Sequence, residues 1–149
     1  MSFKKLIFDV LQTAGSISFT FSSTMGNIDD VCERTTNYIQ SKIKGIEAHL
    51  FSINLVIREG LTNAVRHGNK SDPEKIVRFL LTITENESIH LMIEDQGGGF
   101  DWRKLQNLDL PENNDHGRGI MIMKAYFSHY SYNDKGNILY LEKDIFSKI

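Results

Sequence analysis

Three clusters in this 149-residue chain carry residue types that could do chemistry. The first is Glu59 and Asn63 in "VIREGLTNAVRHGN", Val56 to Asn69, with Gly60 beside them. Residues four apart in an α-helix are separated by about 40° and stack on one face. Glu59 and Asn63 therefore point the same way, roughly opposite the stripe Ile57, Leu61 and Ala64. Such a pair in isolation is more often a solvated polar face than a site. The chemical reading gives Asn63 a neutral oxygen for a hard cation such as Mg²⁺, which takes its other ligands from phosphates and water. Glu59, one turn earlier, is then placed to accept a proton from an attacking hydroxyl or water. Gly60 costs a helix interior roughly 1 kcal/mol against alanine, so its presence asks for a reason.

The second cluster is "EDQGGGFD". Strand parity puts Asp95 on the same side as Ile89, Leu91 and Ile93, the side that should face the core. A carboxylate there needs partners, because burying an unpaired charge is costly. Backbone amides at the strand end are one solution; an exocyclic amine such as that of adenine is another. Gly97 and Gly99 permit positive φ and close approach of the backbone to a ligand. The third cluster is "DHGRGIMIMK", where Gly117 and Gly119 precede and open a helix whose free N–H groups and dipole attract anions. Close packing of a glycine-rich helix start on a sheet explains the same residues. Lys124 and Arg118 read as surface residues, although Arg118 could reach a phosphate, while Met121, Ile122 and Met123 read as core.

Periodicity supplies the elements that must position these clusters. "SISFTFS" alternates like a strand, and Thr24 or Asn27 caps a helix running to about Lys44, with Ile28, Val31, Thr35, Ile39 and Ile43 buried. After Gly45 a second helix runs to about His67 and buries Leu50, Ile53, Ile57, Leu61 and Ala64. "KIVRFLLTIT" and "SIHLMIED" form a hairpin across "ENES", a third helix follows in "GRGIMIMKAYF", and a closing hairpin turns around Gly136. The order β-α-α-β-β-loop-α-β-β predicts an α+β two-layer sandwich, a mostly antiparallel mixed sheet with helices on one face. Ahead of it, Phe3, Leu6, Ile7, Val10 and Leu11 fall at helical spacing and predict a short amphipathic helix. That stripe has two destinations, the protein's own sheet or a second copy in a homodimer, and the first is preferred.

Length and composition narrow the function. The chain suits one domain, 1–149, with 40% apolar and 24% charged residues. A net charge of -2 leaves no basic excess for phosphate neutralisation and argues against direct nucleic-acid binding. The lone Cys32 excludes an internal disulfide and a cysteine-based zinc site, and no two histidines share helical ligand spacing for a metal-hydrolase centre. No apolar run is long enough to span a bilayer, so no membrane role is expected. Asp9 interrupts the segment that mimics a secretion signal, and a cytoplasmic protein is the expectation.

The order of the clusters says more than any one of them. A Glu-x-x-x-Asn helix, a strand ending in Asp-x-Gly-x-Gly, a polar loop and Gly-x-Gly at a helix start resemble the GHKL (Bergerat) ATP-binding fold of gyrase, Hsp90, histidine kinases and MutL. The resemblance covers about residues 16–144, leaving 1–14 as an extension. Within that superfamily, "REGLTNAVRHGN" and "GRGIMIMKAYF" are most similar to the bacterial anti-sigma-factor serine/threonine protein kinases. The resemblance implies ATP and Mg²⁺ as cofactors, Asn63 as the metal ligand, Glu59 as general base and Asp95 as the adenine contact, helped by an ordered water. It implies Gly97 and Gly99 as adenine-side wall and hinge, residues 100–116 as a lid, and Gly117, Arg118 and Gly119 around the phosphates. The family usually has alanine at Gly60, so a small residue is expected there. No P-loop Lys/Ser motif is present, and phosphate binding rests on Mg²⁺ and backbone amides.

By the same resemblance the partner is an anti-sigma-factor antagonist or a sigma factor, gripped with help from an arginine on the first helix; Arg34 lies near that position. Two alternatives accompany the kinase. One is a non-enzymatic nucleotide-gated binding module, which needs Asn63 and Asp95 but no base such as Glu59. The other is a detached histidine-kinase catalytic domain, disfavoured because His67, His90, His116 and His129 fall inside the ATP fold.

Overall fold

Apolar side chains at alternate positions give β2 (Ser16–Ser22), β3 (Ile76–Ile83) and β4 (Ser88–Glu94) one face each to bury. The computed structural model describes residues 6–99 and 115–145. With β1 (Phe8–Gln12), β5 (His129–Tyr132) and β6 (Ile138–Asp144), these strands form one sheet in the order β1-β2-β3-β4-β6-β5. Every neighbouring pair is antiparallel. Helices α1 (Met25–Lys42), α2 (Glu47–Asn63) and α3 (Asp115–Tyr126) pack on one face. This is the expected α+β sandwich.

Register builds the floor of the molecule. Phe19 pairs with Phe79, Phe79 with Ile93, and Ile93 with Leu139, so four buried side chains cross four strands in one row. A fully buried side chain of this size contributes about 1.5–3 kcal/mol. The row is therefore a stiff base against which α2 rests. From α1, the expected Ile28, Val31, Thr35, Ile39 and Ile43 are all buried. Thr24 holds the N-cap position of α1, while Asn27 donates its side-chain N–H to Ser22 O at 3.0 Å.

One element differs from expectation. The N-terminal apolar stripe is not a helix: Phe8–Gln12 is the edge strand β1, paired with β2 from Phe8↔Phe21 to Gln12↔Ile17. A turn closed by Thr13 N–H to Ser16 O at 2.8 Å returns the chain directly onto β2. A segment this short forms no stable helix by itself, and the unpaired backbone groups of β2 offer it a full ladder instead. The segment thus joins the protein's own sheet through its backbone, while the stripe side chains Leu6, Ile7, Val10 and Leu11 all stay exposed. Phe3 and the segment 100–114, most of the expected lid, lie outside the described residues.

Candidate functional site

α2 does not simply stop. After Asn63 it widens into a π turn, Ala64–Gly68, closed by Asn69 N–H to Ala64 O at 2.8 Å. Such turns concentrate at functional sites because they re-aim the residues of a helix end. Here the π turn carries His67 and Gly68 to the side of a cleft with about 440 Å³ of open space. Asn63 lines the cleft from α2, Asp95 and Gly99 from the end of β4, and Asn137 from the β5–β6 hairpin. Gly60 lines it too, and the structure supplies the reason for that glycine. A Cβ there would come 2.6 Å from Ile93 Cδ1 and 3.4 Å from Leu139 Cδ2. Its absence lets α2 press onto the floor row and bring Asn63 over the cleft.

Asp95 sits one residue beyond β4, half-buried, with its backbone N–H on Asn137 O at 3.0 Å. Its carboxylate accepts the Gly97 N–H at 2.8 Å. Burial pushes its pKa above the usual carboxylate range; the Gly97 N–H and the charges of Lys135 and Lys75 pull it back, while Glu94 adds to the rise. A carboxylate oxygen accepts more than one hydrogen bond, so capacity remains for a donor in the cleft. Two glycines make room for it. A Cβ on Gly68 would overlap the Asp95 carboxylate, and one on Gly97 would overlap the Gly68 carbonyl oxygen. Gly99 has φ +82°, and a Cβ there would overlap the Lys135 carbonyl.

The third cluster meets the first. Gly119 is buried, and a Cβ on it would lie 2.8 Å from Asn63 Nδ2 and 3.9 Å from Glu59 Oε2. Its missing side chain lets α3 approach the Asn63 amide closely, with the Glu59 carboxylate nearby. The helix begins at Asp115, earlier than expected, so Gly117 and Gly119 lie within α3 rather than before it. The Gly117 N–H belongs to the open first turn, whereas N–H groups as deep as Gly119 bond within the helix. What Gly119 contributes is close approach of α3 to Asn63. The Arg118 side chain lies outside the described residues. Arg34 is exposed on α1, its guanidinium 5.5 Å above the Phe8 ring of β1.

The donor set suits a nucleotide with a hard cation. Asn63, which lines the cleft, offers a neutral carbonyl oxygen of the kind Mg²⁺ takes, and a carboxylate stands one turn away. Among the described residues no group of three or more His, Cys, Asp or Glu forms a metal cage, and no helix is long and apolar enough to cross a membrane. Mg²⁺ bound through one protein ligand and substrate phosphates needs no such cage.

Sequence reading missed the residue that ties this arrangement together. Asn69 is fully buried; its amide donates to Ser23 Oγ at 2.6 Å and to Ile76 O at 2.8 Å, and accepts the Gln96 N–H at 2.7 Å. It locks the π turn to the ends of β2 and β4 and the start of β3. Its place in a polar stretch gave it the look of an ordinary chain breaker. Asn69→Ala is expected to destabilise the fold by about 2–4 kcal/mol, because several polar groups lose their partner at once. An unchanged midpoint in urea denaturation would contradict this account of Asn69.

Comparison with known proteins gives a consistent set of likenesses. The family model for the histidine kinase-like ATPase domain matches residues 21–143. The anti-sigma F factor of Geobacillus thermodenitrificans is 33% identical over 103 residues, covering 64% of this chain and 70% of that protein. The anti-sigma F factor of Clostridium perfringens is 31% identical over 101 residues, 63% of this chain and 71% of that protein. Among solved structures, the histidine kinase domain of the Erythrobacter litoralis EL346 blue-light activated histidine kinase matches 79% of this chain and 61% of its own, with TM-score 0.49 and 17% identity. The chain therefore spans less than two thirds of that domain.

Proposed function

The chain belongs to the histidine kinase-like ATPase domain family, and from that premise we propose an ATP- and Mg²⁺-dependent serine/threonine protein kinase that acts as an anti-sigma regulator. Its protein partner is an anti-sigma-factor antagonist, which it binds and phosphorylates, or the sigma factor itself, which it sequesters. The observation that carries the reading is the meeting of Glu59 and Asn63 with Gly119 beside a cleft that Asp95 also lines. Likeness to anti-sigma F factors over most of their length supports the choice of partner.

Each residue has a part in the proposed reaction. Asp95 accepts a hydrogen bond from the adenine amino group and so selects the base. Asn63 holds Mg²⁺, which neutralises phosphate charge when bound. Glu59 takes the proton of the partner's hydroxyl as that oxygen bonds to the γ-phosphorus and the β–γ bridging P–O bond breaks, leaving ADP. First-turn amides of α3, Gly117 among them, favour phosphate oxygens at that end.

Asp95→Asn keeps the shape but replaces a charge-assisted hydrogen bond worth about 1.5–3 kcal/mol. ATP affinity is expected to fall roughly ten- to hundredfold, read by calorimetry. The function itself is tested by incubating the protein with labelled Mg·ATP and candidate antagonist proteins. Acid-stable phosphate on a partner serine or threonine is the expected outcome. A partner that binds in an ATP-dependent way yet receives no phosphate would favour the nucleotide-gated module. Acid-labile phosphohistidine would favour a histidine-kinase catalytic domain.

A further inference from the structure

The ladder between β4 and β6 ends at the pair Glu94↔Ile138, yet Asp95 and Asn137 carry it one step further with the help of a side chain. Asp95 donates its backbone N–H to Asn137 O at 3.0 Å, and the Asn137 amide donates back to Asp95 O at 3.1 Å. One residue thus holds both backbone polar groups of Asp95. The Asn137 amide is itself aimed, because its Oδ1 accepts from Asn133 Nδ2 at 2.7 Å. Asn133 Oδ1 in turn accepts the N–H groups of Gly136, Asn137 and Ile138, each at 3.0 Å. Neither amide can be reversed without loss, since Asp95 O only accepts and those three N–H groups only donate. We propose that Asn137, set by Asn133, is a positioning residue for base recognition: it fixes the backbone of Asp95 so that the carboxylate meets the adenine amino group. The proposal rests on the ATP-binding reading above and extends it to two residues outside the three sequence clusters.

Asp95 needs such an anchor because of where it sits. It lies one residue beyond β4, where the regular ladder no longer dictates its backbone. The Gly97 N–H grips its carboxylate from the glycine loop, and Asn137 grips its backbone from the β5–β6 hairpin. A recognition group works only when its supporting bonds hold it to within about 0.5 Å of the productive position. Loss of the hairpin bond therefore reaches the ligand through Asp95, and specifically through the one hydrogen bond that Asp95 makes to the base.

Purine riboside triphosphate, which is ATP without the amino group, separates this role from a general structural one. The test is calorimetric titration of wild type, Asn137→Ala and Asn133→Asp with the Mg²⁺ complexes of both nucleotides. Asn133→Asp keeps an oxygen for the three turn N–H groups but has no N–H for Asn137 Oδ1. Its second oxygen draws the Asn137 Nδ2 instead, and the reversed amide then sets oxygen against Asp95 O. This nearly isosteric variant keeps the proposal open to refutation even if Asn137→Ala does not fold. Wild type should prefer ATP by about ten- to hundredfold, the scale of one charge-assisted hydrogen bond. Each variant should lose at least about threefold of that preference, with purine riboside triphosphate bound within about twofold of wild type. Variants that weaken both nucleotides equally would overturn the proposal, since the asparagines would then serve the fold alone. So would variants that keep the full preference. Equal affinity of wild type for the two nucleotides would instead refute the contact between Asp95 and the amino group, and this inference with it.

Discussion

Glu59→Ala is expected to lower phosphoryl transfer to the partner by about 10²–10⁴, the usual scale for losing a general base, while Mg·ATP affinity stays within a few-fold. Glu59 lies one helical turn before Asn63, and its Oε2 is 3.9 Å from where a Gly119 Cβ would sit. It borders the Asn63 end of the site but is absent from the residues lining the cleft that Asp95 shares. A group placed there takes a hydroxyl proton without contributing to base recognition. Asn63→Ala is expected to damage both binding and transfer, because phosphate charge must be neutralised in the ground state and in the transition state. Phosphorylation at saturating ATP, beside a binding titration of each variant, separates the two roles. Unaltered turnover in Glu59→Ala would remove the base.

Gly97→Ala is the second large effect. The added methyl would overlap the Gly68 carbonyl oxygen, which is backbone, and come 3.0 Å from Asp95 Oδ1. Gly68 belongs to the π turn locked by Asn69, and Asp95 is held by the Gly97 N–H itself. Relief therefore means displacing the loop and breaking the bond that orients the carboxylate. Overpacking of this kind costs about 1–3 kcal/mol in stability. With Asp95 misplaced, ATP affinity should fall at least as far as in Asp95→Asn, roughly tenfold or more. Gly98 provides the control. A Cβ there meets nothing within 4 Å among the described residues, so Gly98→Ala should leave the melting temperature and ATP affinity close to wild type. Equal behaviour of the two variants would contradict the steric account.

The parts of the fold legible in the sequence are those with a clean period. Alternation fixed the core faces of β3 and β4, and the 3.6-residue repeat placed the buried side of α1. Phe3 to Leu11 misled because five apolar residues fit a helical stripe while the preferred partner, the open edge of β2, is invisible to a local pattern. The start of α3 was missed by two residues, since Asp115 and His116 carry no periodic signal. Within the site, Glu59, Asn63, Asp95 and the glycines stood out by type and spacing. Asn69 did not, because its role depends on what the fold brings to it. Its partners come from the end of β2, the start of β3 and the loop after β4. Gly60 was legible as an oddity, and only the proximity of Ile93 Cδ1 explains it.

The central claim is that this cleft binds Mg·ATP through its adenine. Calorimetric titration of the wild-type chain with Mg·ATP and, separately, Mg·GTP tests it most directly. The account predicts saturable binding of ATP and binding of GTP at least tenfold weaker, with the difference abolished in Asp95→Asn. No heat of binding with Mg·ATP, or equal affinities for the two nucleotides, would contradict it.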